Sequence, residues 1–161
     1  MPTIATIGVY GFSAEDFLAR LLESEVSLLL DVRQRRGVRG AEYAWANAQR
    51  LQDALAESGI GYRHLPDLAP TTELRQLQYA ADAKDGVGKR DREVLAPAYV
   101  ERYTHEILDE ADLDAVAGLL PAKGAAALFC VERDPEACHR SLVAARLAAE
   151  HGAKVVDLRP G

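Results

Sequence analysis

The sequence predicts an α/β fold: one domain on a mostly parallel five-stranded sheet, with helices on both faces. Three observations carry this. Five short apolar runs, at residues 3–10, 26–32, 60–65, 125–131 and 154–158, have the length of strands. Segments with helical spacing separate them, and such alternation implies right-handed crossovers and parallel pairing. Two of the runs, VSLLLDV and AAALFCV, are apolar almost throughout, as in strands covered on both faces. With 161 residues, 48% of them hydrophobic, residues 1–161 suit a single core.

The elements follow in order. TIATIGVY, at Thr3–Tyr10, is a β-branched run stopped by Gly11. Ser13 is placed to cap a helix, with Asp16 three residues on and Phe17, Leu18, Leu21 and Leu22 at helical spacing. After the second strand, residues 33–43 read as a polar loop, and Leu51 and Leu55 mark a helix from about Asn47 to Ser58, with Gly59 as its stop. The third strand ends at Leu65 before Pro66. Thr72 is placed to cap a helix reaching Ala83, and KDGVGKRD, at Lys84–Asp91, reads as a loop. Helical spacing returns over 97–110 and 112–120. Asp134-Pro135 then predicts the start of a long helix, Asp as N-cap and Pro in the first position, ending near His151-Gly152 before the last strand.

The net charge of −6 argues against a whole-surface grip on nucleic acid or anionic lipid, although Arg33, Arg35, Arg36 and Arg39 form a local basic cluster. No apolar run approaches a membrane span, and the opening residues lack the pattern of a signal peptide. Two cysteines make no disulfide framework. The expectation is a soluble, cytoplasmic protein.

In an open parallel sheet, ligands bind beyond the carboxyl ends of the strands. The second and fourth strands deliver Asp31, Arg33, Cys130 and Glu132 there, sharing one crevice if those strands are neighbours. The helix predicted from Asp134 would carry Cys138, His139 and Arg140 in its first turns, where a helix favours anions and thiolates. Three chemistries suit this set. Arg33, Arg39 and Arg140 would hold a phosphate or carboxylate, with Asp31 and Glu132 orienting them or acting as acid and base. Cys130 or Cys138 would be a nucleophile activated by the helix end and His139. Cys130, Cys138 and His139 would be metal ligands; this third reading is set aside because neighbours on a helix point apart. His64 ends the third strand near the crevice or is simply hydrogen-bonded structure. Tyr43 and Trp45 would stack on a base, form a lid, or belong to the core edge. The resulting expectation is a binder of a small anionic or phosphate-bearing ligand, a nucleotide or nucleic-acid end among them, with no cofactor and no metal. A cysteine-dependent enzyme and a non-enzymatic nucleic-acid-binding or interaction module are the alternatives.

Thr6-Ile7-Gly8, Asp31-Val32-Arg33, Arg39, Tyr43, Gly59-Ile60, Tyr62, His64-Leu65-Pro66 and Cys130-Val-Glu132…Cys138-His139-Arg140 together resemble the domain of unknown function 488 family, nearly end to end. The resemblance implies a small α/β protein with a polar cluster at these residues, and no particular reaction. The chain departs from the family pattern at Gln34-Arg-Arg-Gly-Val-Arg39, where a proline and Ser-Arg are usual, and at Leu68-Ala69, where Leu-Gly is usual. A rhodanese domain is also similar in its Asp-Val-Arg strand end and its strand-end cysteine; its loop is shorter than the nine residues between Cys130 and Arg140, and a rhodanese-like sulfurtransferase is therefore the form that the cysteine-dependent alternative takes. A tyrosine-phosphatase loop would need arginine where Glu136 stands.

Overall fold

The computed structural model describes residues 2–88 and 92–161. Met1 and the Lys89–Asp91 end of the expected glycine-rich loop lie outside the described residues. Five strands form one parallel sheet: β1 (Thr3–Ile7), β2 (Val26–Asp31), β3 (Gly61–His64), β4 (Ala125–Phe129) and β5 (Lys154–Leu158), in the order β3-β2-β4-β1-β5. The expected α/β architecture is therefore present. Strands β2 and β4 are neighbours, with Asp31 opposite Phe129.

Helices α1 (Ala14–Glu23) and α2 (Ala48–Glu57) cover one face. Their buried Phe17, Leu21, Leu51 and Leu55 pack on Ala5, Ile7, Leu29, Ala127 and Phe129. Helices α3 (Thr72–Lys84), α4 (Pro97–Tyr103), α5 (Leu113–Ala117) and α6 (Arg140–His151) cover the other, meeting Ile4, Leu30, Ala126 and Leu128. The alternation of β4 side chains between the two cores follows from the two-residue period of a strand. Each wholly buried Phe or Leu contributes about 1.5–3 kcal/mol. Ser13 caps α1, its hydroxyl accepting from the Asp16 N–H at 3.1 Å.

The structure corrects three boundaries. Thr71, not Thr72, caps α3 through its hydroxyl. The helix expected over 97–110 is α-helical only to Tyr103 and continues as a π-helical turn over Thr104–Leu108. The long last helix does not begin at Asp134-Pro135. Pro135–Ala137 is a single 3-10 turn, Cys138 is extended at φ −138°, and α6 begins at Arg140. The cause is competition for the groups a helix start would need. The Asp134 carboxylate makes no cap bond and is held instead by Arg159 at 3.1 Å. The buried Arg140 guanidinium meanwhile draws the Glu132 and Arg133 carbonyls back over the helix end, at 2.6 and 3.1 Å.

The chain leaves β2 toward α2 on one face and leaves β4 toward α6 on the other. Neighbouring parallel strands whose connections part to opposite sides open a crevice at their carboxyl ends. Among the described residues no helix is long and apolar enough to cross a membrane.

Candidate functional site

A cleft of about 670 Å³ lies at the carboxyl ends of β2 and β4. Its floor is Cys130, Cys138 and His139, and Glu132 stands beside them. Strand β4 projects Cys130 toward the α6 side, and the extended conformation of Cys138 turns its sulfur to the same point. The His139 Nε2 lies 2.7 Å from the Val32 carbonyl. A carbonyl only accepts, so Nε2 carries the proton and Nδ1 faces the two sulfurs, 3.8 Å from Cys130 Sγ and 3.7 Å from Cys138 Sγ. The Cys130 thiol is also placed to donate to Glu132 Oε2 at 3.4 Å, and Cys138 Sγ accepts the Arg140 N–H at 3.5 Å. The Tyr103 ring, 5.4 Å away centre to centre, backs the imidazole.

Burial, reinforced by Cys138 and Glu132, pushes the Cys130 thiol well above its ordinary value. The lowered-pKa nucleophile expected at Cys130 is thus opposed by its surroundings. Burial also works against the His139 imidazolium, but Cys130, the Val32 carbonyl and Glu132 outweigh it and leave that pKa raised.

The remaining expected residues divide. Arg33 lines the cleft, yet its guanidinium is taken up by Asp31: Nε donates to Oδ1 at 2.9 Å, Nη2 to Oδ2 at 2.8 Å, and Nη1 to the Ala46 carbonyl at 2.9 Å. Its Cζ lies 4.6 Å over the Phe129 ring. This pair braces the end of β2. Arg140 is wholly buried, holds the loop carbonyls, and is not among the residues that line the cleft. His64 is not among the residues that line the cleft; its Nε2–H donates to the Arg33 carbonyl at 2.9 Å, and the residue lines a separate cavity of about 460 Å³. Tyr43 packs on Tyr10 with its hydroxyl at the Gly11 N–H, and Trp45 packs on Phe17 at the core edge. Arg39 is exposed at the cleft rim.

The sequence reading missed Arg92, Asp82, Gln78 and Arg75. Arg92, buried, grips Asp82 through Nε and Nη2 at 2.7–3.1 Å and reaches Glu132 Oε1 at 3.2 Å and the Ala137 carbonyl at 3.1 Å through Nη1. It ties α3 to the loop that follows β4. The signal was Leu74, Gln78 and Asp82 at four-residue spacing, one buried face of α3 that turns polar toward its end. Arg92→Ala is expected to destabilise the fold by about 2–3 kcal/mol in urea denaturation, below the ~3–5 kcal/mol of a fully enclosed pair because this one keeps some exposure. Arg92→Lys should recover only part, since an ammonium lacks the bidentate fork. A variant unfolding at the wild-type midpoint would show that Arg92 is not a staple.

Arg75 donates to Gln34 Oε1 at 2.9 Å and to the Tyr79 hydroxyl at 3.0 Å, holding a guanidinium at the cleft wall. Among the described residues, five arginines (Arg33, Arg35, Arg39, Arg75 and Arg92) line the cleft against one carboxylate, that of Glu132. No curated protein and no solved structure matches the chain. A family model described as Domain of unknown function DUF488 matches residues 13–147, most of the chain, and the protein belongs to that family.

Proposed function

We propose that the cleft binds a small ligand bearing a phosphate or carboxylate and holds it over the Cys130–Cys138–His139 floor. The observation that supports this is the concentration, among the described residues, of five arginines against one carboxylate in a cleft of a chain whose net charge is −6. Two of the five, Arg33 and Arg92, are already paired with carboxylates. The anion contacts therefore fall to Arg35 and Arg75, with Arg39 at the rim beside them, while the buried pairs hold the walls. Among the described residues no carboxylate is in ion-pair contact with Arg35 or Arg75. The planar fork of Arg75, already oriented by Gln34 and Tyr79, suits bidentate contact with an oxyanion.

Calorimetric titration with inorganic phosphate and with a nucleoside monophosphate tests this. Binding should be detectable for the wild type, and Arg75→Ala should weaken it about 10–100-fold, the loss of one hydrogen bond to a charged group at ~1.5–3 kcal/mol. Arg35→Ala should act in the same direction. Absence of heat with both ligands, or equal affinity in Arg75→Ala, would remove the reading. A polynucleotide that binds where the small anions do not, with a steep salt dependence, would favour a nucleic-acid module instead.

A further inference from the structure

We propose that Cys130, Cys138 and His139 form a binding site for a thiophilic divalent cation, zinc in the first instance, with its remaining coordination position toward the cleft. The three donor atoms, two sulfurs and one imidazole nitrogen, lie within 4.8 Å of one another and belong to buried residues. Zinc bonds of about 2.3 Å to sulfur and about 2.0–2.1 Å to nitrogen, arranged tetrahedrally, set sulfur and nitrogen about 3.5–3.6 Å apart. The observed separations of 3.7 and 3.8 Å are within a few tenths of an ångström of that.

The orientation of the ring is the second line of argument. A metal-bound histidine commonly donates its other N–H to a carbonyl or carboxylate, which fixes the tautomer that coordinates. Here Nε2–H is given to Val32, so the Nδ1 lone pair is the one presented to both sulfurs. The objection that adjacent Cys138 and His139 diverge on a helix does not apply, because both precede α6 and Cys138 is extended. The Arg140 N–H, 3.5 Å from Cys138 Sγ, fixes the direction in which that sulfur points.

Three protein ligands with one remaining position is the arrangement of a catalytic rather than a closed structural site. All three residues line the cleft, and Glu132 Oε2 lies 3.4 Å from Cys130 Sγ, beside the three donors. Binding is balanced by release of both thiol protons to solvent. The site goes beyond the anion reading and does not depend on it.

The test is a cobalt(II) titration of the reduced, chelator-treated full chain in phosphate-free buffer, followed by absorption. The expected result is one ion per chain, with sulfur-to-cobalt charge transfer in the near ultraviolet and the intense visible bands of tetrahedral cobalt, both erased by added zinc. Cys130→Ser, Cys138→Ser and His139→Asn should each weaken binding by more than the ~10–100-fold typical of losing a hydrogen-bond partner behind a metal ligand. His105→Ala, at an exposed helix position, should bind as the wild type does. Should a variant fail to fold, the wild type still decides: zinc must slow alkylation of both cysteines. No charge-transfer band, or alkylation indifferent to zinc, overturns the proposal. Because phosphate is absent, failure here leaves the arginine cleft standing, and failure of the anion titration leaves this site standing.

Discussion

Replacing Asp31 with alanine should destabilise the protein by about 3–5 kcal/mol, the cost of leaving one member of a buried ion pair without its partner. Neither side chain of the Asp31–Arg33 pair is more than 1% exposed. The Asp31 carboxylate accepts the Arg33 backbone N–H at 3.1 Å, Arg33 Nε and Nη2, and the Tyr62 hydroxyl at 2.5 Å. Without it a guanidinium remains enclosed between the Phe129 ring and the Ala46 carbonyl, and Tyr62 loses its acceptor. The consequence extends to the cleft, because the same turn of chain supplies the Val32 carbonyl to His139 and the Arg33 carbonyl to His64. Loosening it should therefore release the imidazole that faces the two sulfurs. Urea denaturation measures the first effect. The double variant Asp31→Ala with Arg33→Met should be less destabilised than Asp31→Ala alone, since no charge is then left unpaired. A single variant within ~0.5 kcal/mol of wild type, the range of ordinary surface changes, would show that the pair is not enclosed in solution.

The parallel sheet and its helices were legible because burial on both faces writes itself into composition: VSLLL and AAALF admit few alternatives. So was the meeting of Asp31, Arg33, Cys130 and Glu132 at one crevice, since strand ends gather at one edge of such a sheet. The roles of the arginines were not legible. Arg33, Arg140 and Arg92 are polar residues that fold inward, and what decides this is the position of carboxylates and carbonyls brought from elsewhere, such as Asp82 on α3 or the Glu132 backbone. Local sequence rules also misplaced the start of α6. Asp-Pro is a strong cap signal, but Arg159, distant in sequence, claims the Asp134 carboxylate and leaves only one 3-10 turn. That long-range contact changes the chemistry, because it moves Cys138 and His139 off the helix and onto one point.

Gly8→Ala should cost about 4 kcal/mol or more, among the larger effects a single methyl group produces. Gly8 follows β1 where the chain runs against the loop after β4: Val9 and Tyr10 donate to the Val131 carbonyl at 2.9 and 3.1 Å. A Cβ at Gly8 would lie 1.9 Å from the Glu132 carbonyl oxygen and 2.8 Å from its carbon. Both are backbone atoms, and neither is at liberty to move, because Arg140 Nη1 holds that oxygen at 2.6 Å from inside the core. Relief requires either separating β1 from the loop or breaking the Arg140 contact, which leaves a buried guanidinium short of acceptors. Both routes displace Glu132 and, through it, the wall of the cleft. Gly59→Ala separates this crowding from backbone preference. Gly59 sits at φ +75° with nothing within 4 Å of its Cβ position. Alanine there should cost only the ~1–2 kcal/mol of a left-handed residue. If Gly8→Ala instead unfolds with the midpoint of Gly59→Ala or above it, the loop yields without penalty. Arg140 is then not the clamp that sets the position of Glu132.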